Sequence, residues 1–421
     1  MAKDLLLLLS GAVSGFLALL LVHLLPVKPM QEHVYWSLPM IEKEFEDEVV
    51  VEGYRSTLTG NFTDCLMLEY AVYEPQNHSL VEQVLRMYRS ESCALEDGWW
   101  PGRSLKDYLE NVPAAREVEY ARYWHGYLVI LKPLLLLTSF NTIRLMNSAL
   151  QVLMAGLVVM GFCRKNASPL AMGFLLSLPF LFFISTYASL SLSICYYVMV
   201  LSLLLQLRFD SSLHSKELYG AFFLITGMAA SYFDLLTYPL ITLVFPLCTY
   251  LYFHGEAPVR SLKKICQYSL EWFFGYIGLW GSKWLLSDLL TGGSTIKDAF
   301  STLRTRTGSA AGYSRISGFF NVLWKNIEPF SNWCYVILIA MAFVILLFQM
   351  TRSRGGKNIK SAIPYMLLAL YPLLWLFVTQ NHSEQHWQFT CRIFACSVFS
   401  VYAGCEKMLQ HGKNANGDGC L

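Results

Sequence analysis

Charge is what this chain has least of. Only 15% of its 421 residues are Asp, Glu, Lys or Arg, while 55% are hydrophobic and the mean hydropathy is +0.41. Soluble domains carry about a quarter charged residues, so a soluble globular enzyme is excluded and one polytopic membrane unit, 1–421, is implied. The net charge of +2 gives no electrostatic case for nucleic acid. The 11 cysteines include no C-x-x-C pair and no Cys/His group at zinc spacing. Most sit singly in apolar runs, as Cys163, Cys195, Cys248 and Cys396 do. Cys65 and Cys93 share one loop and are a candidate disulfide. No internal repeat is present, and the one low-complexity stretch is the polar tail HGKNANGDGCL.

What is present is apolar and long. LLLLLSGAVSGFLALLLVHLLPV gives about 20 apolar residues, enough to span a bilayer, and no small-residue cleavage site follows it. Further apolar runs lie near 142–163, 168–185, 191–207, 217–231, 237–253, 267–286, 331–350, 361–379 and 392–408. The expectation is an all-α integral membrane protein of about ten transmembrane helices. With the N-terminus inside, the cytoplasmic connections are CRKN, RFDSSLHSKE, HGEAPVRSLKK, TRSRGGKNIK and the 409–421 tail, and all carry Lys or Arg. STYASLSL, SYFDLLTYP and NHSEQHWQFTC fall outside and carry none before Arg392. Positive residues collect in cytoplasmic loops, so both termini are placed in the cytoplasm. The stretch 125–140, with Lys132-Pro133 at its middle, would invert this pattern if it crossed; it reads as re-entrant or interfacial. Two large outer loops remain, 26–125 with 18 Asp/Glu against 9 Lys/Arg, and a basic one at 287–330.

The unusual polar residues gather at the outer turns. Asp234 interrupts an apolar run in SYFDLLTYP, joined by Tyr187, Tyr238, His382, Glu384, His386 and Arg392. Ionisable groups at such depths face a water-filled cavity or a partner, and Asp234 equally suits a helix cap. His382 and His386 have the spacing of two metal ligands on one helical turn, but no third ligand is evident. In the first loop, Thr63 or Asp64 can cap the helix beginning CLMLEYAVY, and Asp64 can instead serve as a base on a hydroxyl. Glu46-Asp47-Glu48 is a rival acid cluster. Arg122 and His125 lie in RYWHGY with Trp and Tyr anchors; an arginine fork there suits a phosphate. NFT at 61, NHS at 77 and NHS at 381 match glycosylation sequons.

FTDCLMLEYAVYE, KPLLLL, IRLMNSALQVLMAGLVVMGFCRK and ASPLAMGFLLSLPFLFFISTYASLS, within 57–207, resemble the GT-C superfamily of polytopic membrane glycosyltransferases, and the chain also resembles bacterial multi-pass proteins with FTD, RYWHGY and SYFD elements. The resemblance implies an outer-face enzyme of the cell envelope that takes a sugar from a polyprenyl-phosphate carrier. Asp64 would be the general base, and Arg122, Arg392, Arg304 or Arg306 would meet the leaving phosphate. His125, Tyr187, Asp234, Tyr238, His382, Glu384 and His386 would line the donor or acceptor pocket. The family often has two adjacent acids; here Cys65 follows Asp64. No cofactor is certain, and a divalent cation is the one candidate. A transporter or flippase, or a polysaccharide polymerase or ligase, is the alternative class. Membrane lipids and a lipid-linked sugar donor are the partners implied, with no nucleic acid.

Overall fold

The computed structural model describes residues 2–44, 47–92, 100–114, 116–255, 257–310, 312–352 and 358–414. Helices occupy the apolar runs. Four of them are long and apolar enough to cross a membrane: Ala2–His23, Phe140–Arg164, Leu190–Ser215 and Ile359–Val378. A fifth joins them if the bent pair Arg315–Phe330 and Trp333–Val344 is one span. The helix Leu128–Leu137 has only 10 residues, about 15 Å at 1.5 Å per residue and so half the hydrocarbon thickness. Cys65 is a free, buried thiol, and Cys93 lies outside the described residues.

Two apolar cores hold the chain. One joins Tyr123 to residues from Met154 to Ala403 in the helices of the membrane body. The other clamps the first loop between Ala2–His23, Leu128–Leu137 and residues Leu224, Met228, Tyr232 and Leu279. Tyr219–Phe233 crosses Pro258–Thr291 with the two backbones close together, and two glycines permit it. A Cβ on Gly227 would stand 2.1 Å from the Trp272 carbonyl oxygen, and one on Gly275 would stand 2.1 Å from that of Leu224. Small residues let membrane helices approach backbone to backbone. Gly227→Ala is therefore expected to lower stability by about 1–3 kcal/mol through overpacking. Gly156→Ala, which meets nothing within 4 Å, should leave the thermal midpoint in nanodiscs unchanged or raised.

Buried lysines of Leu128–Leu137 and Pro258–Thr291 close the ends of the loop helices. Helix C-termini leave carbonyls unpaired and carry partial negative charge. Lys132 Nζ donates to Ala71 O at 2.7 Å, at the end of Asn61–Val72. Lys283 Nζ donates to Leu85 O at 2.5 Å, at the end of Leu80–Arg86. The N-termini are met by acids in the same way. Asp288 accepts from Thr295 N at 2.6 Å and Ile296 N at 3.0 Å, which starts Thr295–Arg306. Leu80–Arg86 has its own capping box of Ser79 and Glu82. The loop's two short strands, Tyr88–Glu91 and Arg116–Glu119, pair antiparallel with Tyr88 opposite Glu119.

Candidate functional site

Asp64 sits in the first turn of Asn61–Val72, but it does not cap that helix. Its Oδ2 accepts from Leu190 N at 2.9 Å and its Oδ1 from Ser191 N at 2.8 Å. These are the orphan donors that open the 26-residue helix Leu190–Ser215. The cap expected on its own helix is made instead on one 126 positions away. The rival acid Asp47 supplies the local contact, accepting from Phe62 N at 3.2 Å; Glu46 lies outside the described residues. Asp64 is buried, and burial raises its pKa against the pull of Ser191, Arg144 and Leu190. Asn61 is buried too, donating to Ile41 O, whereas Asn77 of the second sequon is exposed.

Arg122 and His125 already have partners of their own. Arg122 Nη1 binds Asp298 Oδ2 at 2.7 Å, and its guanidinium lies 4.7 Å over the Tyr120 ring, so its charge is already answered. His125 is buried among Tyr70, Tyr120, Tyr123 and Tyr127, with Nδ1 on Tyr127 Oη and Nε2 on Tyr120 O. Burial lowers its pKa to about 3. It is a neutral core residue in this geometry.

Asp234 answers for its own turn. Its Oδ2 accepts from Thr237 N at 2.8 Å and its Oδ1 from the Thr237 hydroxyl. The carboxylate thereby fixes the turn that leads into Ile241–His254, with Leu236 held at φ 65°. Two distant segments close over that turn. His382 Nε2 meets Leu236 O at 3.0 Å, and Arg306 Nη1 meets His382 Nδ1. A guanidinium can only donate, so Nδ1 carries the lone pair and the His382 proton is on Nε2, aimed at Leu236 O. Both ring nitrogens are thus engaged, which leaves His382 no lone pair for a metal. The His386 ring lies beside it, centroids 4.8 Å apart and tilted by 49°. Burial and then Arg306 lower the His386 pKa to about 4, so it is neutral at pH 7. Glu384 accepts from Asn321 Nδ2 at 3.1 Å, and Arg304 is exposed. Tyr187 is half-buried, its ring against Phe183.

Arg392 is the deepest charge at these turns, 1% exposed. Its Nη2 donates to Ser185 Oγ at 2.5 Å and its Nη1 to Gln388 O, while Nε has no hydrogen-bond partner. The guanidinium lies 5.1 Å over Phe182 and 5.7 Å over Tyr238. Tyr238 is itself held by its hydroxyl on Leu192 O. Among the described residues, no carboxylate pairs with Arg392, Arg306 or Arg315. Phe182 is shared with an open groove of about 390 Å³, lined by Tyr54, Thr57, Phe182, Ile184, Tyr335 and Leu338 among others. Three segments far apart in sequence build this groove.

One buried acid of the first loop escaped the sequence reading. Glu69 is fully buried; Ser90 Oγ reaches one oxygen at 3.3 Å and the other has no hydrogen bond, with Arg89 Nη1 4.0 Å away. Burial raises its pKa from 4.5 to about 8. The folded state keeps a proton that the unfolded chain releases above pH 4.5. Its contribution is thus most favourable below pH 4.5 and declines as pH rises towards about 8. Glu69→Gln is expected to remove that decline, so the thermal midpoint at pH 8 should rise relative to the parent and match it at pH 4.5.

The fold is that of a predominantly helical, membrane-embedded protein in which Arg392 is buried beside the wall of an apolar groove. No family model, no curated protein and no solved structure matches the chain.

Proposed function

We propose that the chain is an outer-face glycosyltransferase that moves a sugar from a polyprenyl-phosphate carrier to a hydroxyl acceptor. The observation that carries this reading is the pairing of the apolar groove with buried Arg392, whose Nε is unpartnered. A lipid phosphate offers both halves of the complement: an isoprenoid chain for the groove and an anion for the arginine. The ten-span topology, with both termini in the cytoplasm, belongs to the same proposal and would put the groove on the outer side.

In this reading the acceptor oxygen attacks the anomeric carbon as the bond to the phosphate oxygen breaks, with inversion. The acceptor's proton passes to a base, and the carrier phosphate leaves with the bonding pair. Arg392 answers the charge that develops on that phosphate, and Arg306 does so from the second loop. Asp64 already accepts two backbone N–H groups, so it acts as a base only by releasing them. His386, neutral and close to both arginine-bearing segments, is the alternative proton acceptor.

The test is binding of polyprenyl phosphate and polyprenyl-phosphate sugars to the protein in lipid nanodiscs, followed by turnover. Saturable binding of the isoprenoid phosphate supports the donor assignment. An absence of binding, with the protein folded, overturns it and leaves transport or assembly as the class.

A further inference from the structure

The helix Arg315–Ile327 carries two opposed faces. Ile316, Phe320 and Trp324, four residues apart, are 70%, 62% and 66% exposed, and Ile327 continues their line. Gly318, Val322 and Asn326, on the other side, are buried. A contiguous stripe of large exposed apolar side chains marks an interaction surface. The orientation of the helix identifies the occupant. Extended by the helical turn Glu328–Phe330, it meets the following helix at 89° across a break at 331–332. That following helix, Trp333–Arg352, has 20 residues, about the length needed to span. It also exposes Trp333, Ile337 and Met341 to its surroundings. A helix perpendicular to a spanning one lies in the plane of the membrane, and its exposed stripe continues the lipid-facing surface.

The buried face grips the outer turns. Asn326 Nδ2 donates to Ser383 O at 3.1 Å, and its Oδ1 accepts from Thr390 Oγ1 at 2.6 Å. Asn321 Nδ2 donates to Glu384, and Gln380 Nε2 donates to Arg315 O at 2.7 Å. The segment 380–390, with its two histidines, is therefore hung on this helix.

We infer that Arg315–Ile327 is an interfacial helix whose Ile316–Phe320–Trp324 stripe is sunk into lipid, and that this docking positions the 380–390 segment. The inference does not rest on the glycosyltransferase reading. It is a statement about a lipid surface as partner, and it holds for any activity at these turns.

The experiment places a genetically encoded nitroxide amino acid at 316, 320 or 324, one at a time, in the full chain in nanodiscs. Collision with oxygen, which concentrates in lipid, is compared with collision with a water-soluble nickel chelate. Oxygen should dominate at all three positions, at a depth of roughly 5–10 Å below the headgroups. Dominance of the nickel chelate would overturn the inference, since the stripe would then face water. Protection from both, or spin–spin broadening between copies, would overturn it in favour of a protein contact. Positioning is read separately by hydrogen exchange. Phe320→Asp should speed exchange across 380–390 by roughly tenfold, the factor given by 1.4 kcal/mol of lost docking, and leave Leu190–Ser215 unchanged. Unchanged exchange at 380–390 would remove the positioning half.

Discussion

Asp64→Ala is expected to destabilise the protein by about 2 kcal/mol or more, before any effect on chemistry is considered. Each carboxylate oxygen holds one N–H of the first turn of Leu190–Ser215; Asp64 and Ser191 are buried and Leu190 is partly buried. Removing an acceptor leaves a buried donor unsatisfied, at about 1–3 kcal/mol for each group. The alanine variant loses two acceptors at once and also the favourable charge at a helix N-terminus. Asp64→Asn retains one side-chain oxygen and should keep about half of the loss away. A base role makes a different pair of forecasts: both variants fold with the parent's thermal midpoint, and neither turns over. Measuring midpoint and turnover on the same nanodisc samples separates the two. If alanine leaves the midpoint unshifted, the cap carries no stability and the catalytic assignment gains what the structural one loses.

The reason this role was not legible in the sequence is geometric. FTDCLMLEY presents an acid in the first turn of a helix, and that pattern is the same whether the carboxylate turns back on its own backbone or reaches a helix 126 residues on. Arg122 is a parallel case, since its partner Asp298 is 176 positions away. Composition and the run of apolar residues were enough for an all-helical membrane chain, because hydropathy is a local property that no distant contact reverses. Lys132-Pro133 marked a short helix for the same reason: a charge and a proline in a ten-residue apolar helix are visible without a fold. The groove was not legible at all. Tyr54 and Thr57, Phe182 and Ile184, and Tyr335 and Leu338 come from three segments that read as an irregular loop and two ordinary apolar helices. Asp234 lies between these extremes. Its contact with Thr237, three residues on, is local but holds the turn rather than capping Ile241–His254 as the sequence suggested, and the closure of His382 and Arg306 over that turn is not local.

Arg392→Gln is expected to weaken binding of polyprenyl phosphate by roughly 10–100-fold, while Arg392→Lys recovers part of that loss. The size follows from the loss of a charge-assisted hydrogen bond, worth about 1.5–3 kcal/mol, at 1.4 kcal/mol per tenfold. Lysine restores charge but not the planar fork, and its ammonium cannot stack on Phe182 and Tyr238 as the guanidinium does. A purely architectural arginine predicts otherwise. It would tie Ser185 to Gln388, so glutamine would lower the thermal midpoint and leave the affinity of the folded fraction where it was. The groove supplies the counter-test. Leu338→Asp, on its apolar wall, should weaken the isoprenoid phosphate and leave inorganic phosphate unaffected, whereas Arg392→Gln should weaken both. A chain that discriminates in that way reads tail and headgroup with separate parts of one site, as the shared wall at Phe182 requires.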